Sequence, residues 1–375
     1  MSRIRILHII HNLHHGGMER IVAELVRRTD SAHFDTQVLA LGYVGDFGDG
    51  LEEFATVHVA EPMPKWSMLH PHRLARQIAA IAPDIVHLHS GVLYKASLAA
   101  SVANVPYQIY TDHGRQNPDP WTNRAIDKLA SRRIDVVVAV SDQLRNHLAG
   151  FVQHPSRICV VHNGVDTERY SPEPDDGEFR RELGIAPNAP VIGSTGRFEP
   201  VKGYGILIEA FARLRASWQS LPLPVLILVG DGTERLSLER ATSRLGISDS
   251  VHFVGWRGDI QRVSRTFTLF SMSSLSEGTS VSLLEAMSAG VCPVVTDVGG
   301  NAAVLGPELK HRLVEAADPD ALARALAHAL LDTAARERDA RVARERVLHH
   351  FSLASMVQHY EALYNAACPS TSFHI

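Results

Sequence analysis

Short apolar runs alternate with segments of helical periodicity along almost the whole chain, and this alternation leaves few architectures open. Arg5–Ile10, Gln37–Leu41, Ile85–His89, Gln108–Thr111, Val136–Val140 and Cys159–Val161 read as short buried strands. Met18–Arg28, Pro71–Ile81, Leu93–Ala103, Thr122–Ser131 and Asp142–Leu148 lie between several of them with apolar residues at helical spacing. A buried strand followed by an amphipathic helix is the βαβ unit, and a series of such units builds a parallel sheet. The alternation starts again at Val191. Val191–Ser194, Val225–Val229, Val251–Val254, Leu269–Ser271 and Val291–Thr296 read as strands. Gly205–Arg215, Glu234–Leu245, Ile260–Thr266, Leu283–Ala289 and Pro319–Leu331 read as helices, followed by Ala334–His349 and Leu353–Ala366.

Between the two series, Asp166–Pro190 holds Pro172, Pro174, Gly177, Pro187 and Pro190 and no clear strand. It reads as a hinge linker with one short helix near Phe179–Leu183. A length of 375 residues suits two domains, each large enough for its own core. The expected fold is therefore α/β, with two Rossmann-like parallel-sheet domains. Residues 1–165 form the first, 166–190 the linker and 191–350 the second. Residues 351–375 supply a C-terminal helix that packs back on the first domain, and a tail. Ligands in such folds bind beyond the carboxyl ends of the strands, which predicts a cleft between the two sheets.

Composition narrows the function classes. The formal net charge of −4 creates no global field for nucleic acid. The three cysteines, Cys159, Cys292 and Cys368, are far apart and lack CxxC spacing. That argues against a disulfide framework or structural zinc and fits a reducing cytoplasm. The start of the chain lacks a signal-peptide apolar region, and no apolar stretch approaches the ~18 residues of a membrane span. His8, His11, His14 and His15 cluster near the start, but their spacing fits no first-shell template and no carboxylate set accompanies them. No metal is expected. Gly16-Gly17 opens a helical segment without the G-x-G-x-x-G fingerprint, which disfavours a nicotinamide-dependent dehydrogenase.

The most informative segment runs from Ser276 to Gly290. Glu277 and Glu285 stand eight positions apart, about 800° around a helix, so they do not share one face of a continuous helix. Glu277 is expected in a loop and Glu285 in a first helical turn. Ser282 then becomes the N-cap of a capping box with Glu285, and Gly290 the terminating glycine. Two readings of this segment stand side by side. Glu285 either only caps its helix, or the Gly278-Thr279-Ser280 loop offers N–H groups to a phosphate while the carboxylates accept hydrogen bonds from sugar or ribose hydroxyls. Arg197 and Lys202, five positions apart, are either two solvated cations or a clamp on a diphosphate, Arg as a fork and Lys as a point charge. Arg124, Lys128 and Arg132 recur every four residues after Trp121, which makes a basic stripe. It is either a plain solvated face or a contact for anionic lipid headgroups.

These motifs together resemble glycosyltransferase family 4, of the bacterial polysaccharide-biosynthesis type. Glu277-Gly-x6-Glu285, followed by Ala-Met-x-Ala-Gly and Pro293-Val-Val, is similar to the family's double-glutamate signature. Gly16-Gly17, Asp112-His113-Gly114, Asn163-Gly164-Val165-Asp166, Gly196-Arg197-x4-Lys202-Gly203, Gly230-Asp231-Gly232 and Gly299-Gly300-Asn301 occur in the family's order. One departure is Ala302-Ala303, where many members carry Pro-Glu.

The resemblance implies a GT-B fold and retaining transfer of a sugar from a nucleoside diphosphate, UDP or GDP, to a saccharide or lipid-linked acceptor. The nucleotide sugar is a co-substrate, and no cofactor or metal is implied. His113, Glu277, Arg197 and Lys202 are the implied catalytic set. The implied donor contacts are Gly16, Gly17, Arg197, Lys202, Arg257, Glu277, Gly278, Thr279, Ser280 and Glu285. The expected location is cytoplasmic, with peripheral contact at the inner membrane face, in surface or exopolysaccharide synthesis. A nucleotide-sugar epimerase of the same fold, or a binding-only homologue, is the alternative.

Overall fold

In a computed structural model the chain forms two compact units, Met1–Asn163 with Leu353–Ile375, and Gly164–Ser352. The structure describes residues 3–14, 16–62, 70–114 and 120–368. His15 and the tail from 369 to 375 lie outside the described residues.

The first unit begins with β1 (Ile4–Asn12), α1 (Gly17–Arg28), β2 (Phe34–Tyr43), β3 (Thr56–Val59), α2 (His72–Ile81) and β4 (Ile85–His89). It continues with α3 (Leu93–Val102), β5 (Tyr107–Asp112), α4 (Trp121–Ala130), β6 (Val136–Ala139), α5 (Asp142–Ala149) and β7 (Ile158–Val160). Seven parallel strands lie in the order β3-β2-β1-β4-β5-β6-β7. The strand order reverses between β1 and β4, so the loops that follow these two strands diverge there. Leu7, Ile9, Val86 and Leu88 pack on Leu74, Ile78, Ala96 and Ala100 of α2 and α3. Ile10 and Val38 point the other way, onto Val22 and Val26 of α1. Period-two alternation thus feeds both faces of a covered sheet. The edge strand β3 has no apolar run to betray it, because none of its residues is buried.

The second unit holds α6 (Glu178–Glu182), β8 (Val191–Thr195), α7 (Tyr204–Ser217), β9 (Val225–Val229), α8 (Arg235–Arg244), β10 (Val251–Phe253) and α9 (Ile260–Ser264). Then come β11 (Leu269–Met272), α10 (Val281–Ser288), β12 (Cys292–Thr296), α11 (Asn301–Leu305), β13 (Leu313–Val314), α12 (Pro319–Leu331) and α13 (Thr333–His350). Its six strands follow the order β10-β9-β8-β11-β12-β13, with the switch between β8 and β11. The stretch read as a hinge linker is corrected here. Tyr170, Phe179, Ile185 and Ala189 are buried in this unit's core. Ser288 Oγ donates to the Tyr170 carbonyl at 2.8 Å. Prolines and glycines shape this segment as a packed loop, because its few large apolar side chains all point inward.

The chain crosses between the units twice, and the two crossings run together. Val165 pairs with Ser352, and its N–H donates to the Phe351 carbonyl at 2.9 Å. Beyond them, α14 (Leu353–Ala367) belongs to the first unit. It buries Tyr360 and Tyr364 there, and Glu361 accepts the Asp30 N–H at 2.8 Å.

Candidate active site

In the second unit, the loops that follow β8, β11 and β12 are tied into one structure. Gly203 sits at φ +61, and a Cβ there would meet the Ser273 carbonyl oxygen at 2.4 Å. Only glycine lets the β8 loop lie this close to the end of β11. Ser273 Oγ closes the joint by donating to the Gly203 carbonyl at 2.8 Å. The joint delivers Lys202 to Glu277: Nζ lies 2.6 Å from Oε1, and Ser274 Oγ donates to the same oxygen at 2.6 Å. The Glu277 side chain is 7% exposed and that of Lys202 26%. Both partners hold Oε1, which leaves Oε2 uncommitted to this pair.

The Glu277 loop is fixed from its other side by β12. Gly299, at φ +57, passes so close that a Cβ would stand 1.9 Å from the Glu277 carbonyl oxygen. Gly300 N–H donates to the Gly278 carbonyl at 2.9 Å. Thr296 Oγ1 donates to the Ser274 carbonyl at 2.7 Å, and Asn301 Nδ2 to the Thr296 carbonyl at 2.9 Å. Ser273, Ser274, Thr296 and Asn301 were absent from the expected site residues. Asn301 closes the Gly299-Gly300-Asn301 motif, and the only sequence signal of the other three is position beside such motifs.

The helix after this loop begins earlier than the capping-box pattern predicts. Ser280, not Ser282, is the N-cap, and its Oγ accepts the Leu283 N–H. Ser282 instead shares a 3.1 Å hydrogen bond with Ser280. Glu285 therefore lies in the second turn, too deep for a capping box, and is 5% exposed. Thr279 and Ser280 are equally buried. Gly290, at φ +75, ends the helix as expected.

Arg197 is exposed, and no ion pair holds it among the described residues. Arg257 is otherwise engaged. It donates twice to Asp259 at 2.8 Å, reaches Glu182 at 3.5 Å and lies over the Phe179 ring at 4.8 Å. The structure thus joins Lys202, Glu277 and the Gly278–Ser280 loop, and gives Arg257 a separate network.

In the first unit, Gly16 and Gly17 follow β1 at the switch, and Gly16 caps α1 without a side-chain hydrogen bond. Replacing Gly16 would press a Cβ to 2.0 Å from the Glu19 carboxylate. His113 follows β5, and its N–H donates to Ser90 Oγ at 2.8 Å. Behind it lies a set of buried imidazoles that the sequence hinted at only through the polar His8 inside an apolar strand. His8, His87 and His89 are at most 1% exposed. Burial lowers His8 and His113 to a pKa of about 3. Burial first, then neighbouring imidazoles, hold His87 and His89 well below the ordinary histidine range. All four rings are neutral.

One nitrogen from each of His8, His87 and His89 falls within 4.8 Å of the others, a spacing open to a metal ion. Five of their six ring nitrogens are hydrogen-bonded, His8 Nε2 being the exception. His87 bonds Tyr364 Oη through Nδ1 and Thr111 Oγ1 through Nε2, both at 2.8 Å, and His8 Nδ1 lies 3.1 Å from His89 Nε2. The set reads as a hydrogen-bonded network. No helix of the described residues is long and apolar enough to cross a membrane.

Two family models match in sequence order: Glycosyltransferase Family 4 over residues 15–169 and Glycosyl transferases group 1 over residues 175–346. The chain is 28% identical over 295 residues to an Escherichia coli UDP-Gal:alpha-D-GlcNAc-diphosphoundecaprenol alpha-1,3-galactosyltransferase, covering 75% of each chain. It is 32% identical over 277 residues to a D-inositol 3-phosphate glycosyltransferase of Corynebacterium urealyticum, covering 71% of this chain and 64% of that one. The solved structure of Anabaena HepE in complex with UDP and glucose superposes with a TM-score of 0.85 at 23% identity, covering 97% of this chain and all of that chain. That likeness shows the fold.

Proposed function

The chain belongs to the family 4 type of GT-B glycosyltransferases, and on that premise we propose that it transfers a sugar, with retention, from a UDP-sugar to a saccharide or lipid-linked acceptor. The observation that carries this reading is the Lys202–Glu277 pair at the switch point of the second sheet, clamped between Gly203 and Gly299. A diphosphate leaving group gathers negative charge as its bond to the anomeric carbon breaks. Lys202 and the exposed Arg197 supply the opposing charge, joined by N–H groups of the Gly278–Ser280 loop. Glu277 Oε2 accepts from sugar hydroxyls and Glu285 from the ribose. Gly16, Gly17 and His113 keep the donor-side roles that the family pattern implies. In the transfer, the acceptor oxygen bonds to the anomeric carbon as the bond to phosphate breaks, and the leaving phosphate takes the acceptor's proton. The two side-chain cations do the work a metal would otherwise do.

The E. coli relative's name specifies a UDP-sugar and a polyprenyl diphosphate acceptor, and the Anabaena neighbour was solved with UDP. Both favour uracil over guanine, and the E. coli relative's name favours a lipid-linked acceptor. Helix α4 adds support for a lipid surface. Trp121 is 73% exposed, Ile126 and Leu129 are exposed too, and Arg124, Lys128 and Arg132 line the same helix and its end. Changing these three cations to Glu is expected to abolish co-sedimentation with anionic liposomes, and unchanged binding would remove the membrane role. Assembly of a surface or extracellular polysaccharide follows from such an acceptor.

Ligand-induced stabilisation tests the donor site. UDP, GDP, ADP and CMP are compared by thermal shift on wild type and Lys202→Ala. A ligand at a hundredfold excess over Kd stabilises by about 2.7 kcal/mol. A shift with UDP that vanishes in the variant supports the proposal. A shift with GDP instead changes the base, and no shift with any nucleotide in folded protein overturns donor binding.

A further inference from the structure

A line of imidazoles crosses the first unit's sheet on a diagonal. His8 of β1 is in register with His87 of β4, and His89 lies two residues further on. His89 is in register with Thr111 of β5, and His113 lies two residues beyond that. Each step advances toward the carboxyl ends of the strands, where ligands of α/β sheets bind. The rings meet end to end: His8 Nδ1 to His89 Nε2 at 3.1 Å, then His89 Nδ1 to His113 Nε2 at 3.1 Å. The two free ends, His8 Nε2 and His113 Nδ1, are both buried without a hydrogen-bond partner.

Three neutral imidazoles carry three N–H protons on six ring nitrogens. Each of the two hydrogen bonds uses one proton, so the third stands at one end of the line and the other end is a bare lone pair. All N–H bonds therefore point the same way, and reversing one reverses all. Among the described residues no carboxylate is hydrogen-bonded to these three rings. Asp112, the nearest in sequence, is held by Tyr110 Oη at 3.0 Å and the Gly114 N–H at 3.0 Å. The deep end decides the direction. His8 Nε2 lies inside the sheet, whereas His113 stands past the carboxyl end of β5, where a bound ligand supplies the acceptor that a buried N–H needs, so His8 Nε2 keeps its lone pair and the protons point toward His113.

We infer that His8, His89 and His113 form a tautomer-coupled line that presents an N–H at His113 Nδ1, aimed at an oxygen of the bound ligand. His8 and His89 are then positioning residues, fixing the proton on a residue they never leave to chance. The consequence for transfer rests on the donor-side role of His113 proposed above. The tautomer itself does not.

The experiment is 15N NMR of histidine-labelled full-length protein, well above the ordinary histidine pKa of about 6.5. Resonances are assigned by difference from single substitutions. The expected wild-type pattern is a protonated Nδ1 on His113 and a bare Nε2 on His8. His89→Leu should abolish the single tautomer of His113. His89→Gln should preserve it, because the amide can accept from His8 and donate to His113. If His89→Leu does not fold, His8→Phe serves, and it should leave His113 with mixed tautomers. In turnover, His89→Leu should lower kcat roughly tenfold with little change in donor KM, and His89→Gln should restore it. A bare His113 Nδ1 in wild type, or the same tautomer in wild type and every variant, overturns the inference. The intended tautomer with unchanged kcat leaves the line intact and instead removes His113 from the donor site.

Discussion

Glu277 is held by two donors on a single oxygen, and this sets what each substitution should do. Glu277→Gln keeps the shape of the side chain but removes the charge opposite Lys202 and one acceptor oxygen. Transfer should fall by two or more orders of magnitude, a loss of about 3 kcal/mol or more of transition-state stabilisation, while circular dichroism is unchanged. Ser274→Ala removes one hydrogen bond from the carboxylate and leaves Lys202 in place, so the loss should be about fivefold, near 1 kcal/mol. Equal losses in the two variants would mean that positioning, not charge, is what Glu277 provides. Glu277 and Lys202 could be found in the sequence because charged residues at fixed spacing beside glycines form a recognisable pattern. Ser274 could not, since a serine within Ser273-Ser274-Leu275-Ser276 carries no mark of which hydroxyl points inward. His89 was hidden for another reason: its partners His8 and His113 lie 81 and 24 residues away, and only strand register brings them together.

Secondary-structure elements were readable wherever they were long enough to show a period. The strands with continuous apolar runs and the longer helices fall within a residue or two of their expected limits, except β2, which starts three residues before Gln37. The two-residue β13, the exposed β3 and the five-residue α11 show no period at all. At α10 the error came from two candidate caps two residues apart, Ser280 and Ser282. The pattern with Glu285 favoured the later serine, but extended backbone at Ser280, φ −71 and ψ 114, places its hydroxyl on the first free N–H groups. Proline and glycine content made residues 166–190 look like a tether, although Tyr170 and Phe179 are at most 2% exposed. The loop joint at Gly299 is the sharpest test at this scale. Gly299→Ala combines positive φ with a backbone clash that no side-chain movement relieves. Nucleotide-induced stabilisation should be lost, with a fall in intrinsic stability of about 1–3 kcal/mol. Retained nucleotide binding would show that the Glu277 loop can shift without consequence.

Across the molecule, four neutral histidines make the fold acid-sensitive. The unfolded chain takes up protons near the ordinary histidine pKa of about 6.5. The folded chain resists until far lower, about 3 for His8 and His113. Between those values the unfolded state binds more protons, so stability is complete above the upper limit and declines as pH falls through the window. Each histidine adds a slope of about 1.4 kcal/mol per pH unit. The urea midpoint should therefore drop steeply between about pH 6 and about pH 4, and less steeply in His8→Phe. A midpoint flat across this range would mean that the rings are charged in the folded protein.

The return of α14 to the first unit gives synthesis an unusual order. The second unit is contiguous, Gly164–Ser352, and has every residue it needs once Ser352 leaves the ribosome. The first unit, translated earlier, still lacks Tyr360 and Tyr364, the hydroxyls that meet Thr111 and His87. Its nascent sheet must wait, with His87 Nδ1 lacking its partner, while nearly two hundred further residues are added. Proteolysis of ribosome-stalled chains should find the later half protected before the earlier one, a reversal of the usual N-terminal-first sequence.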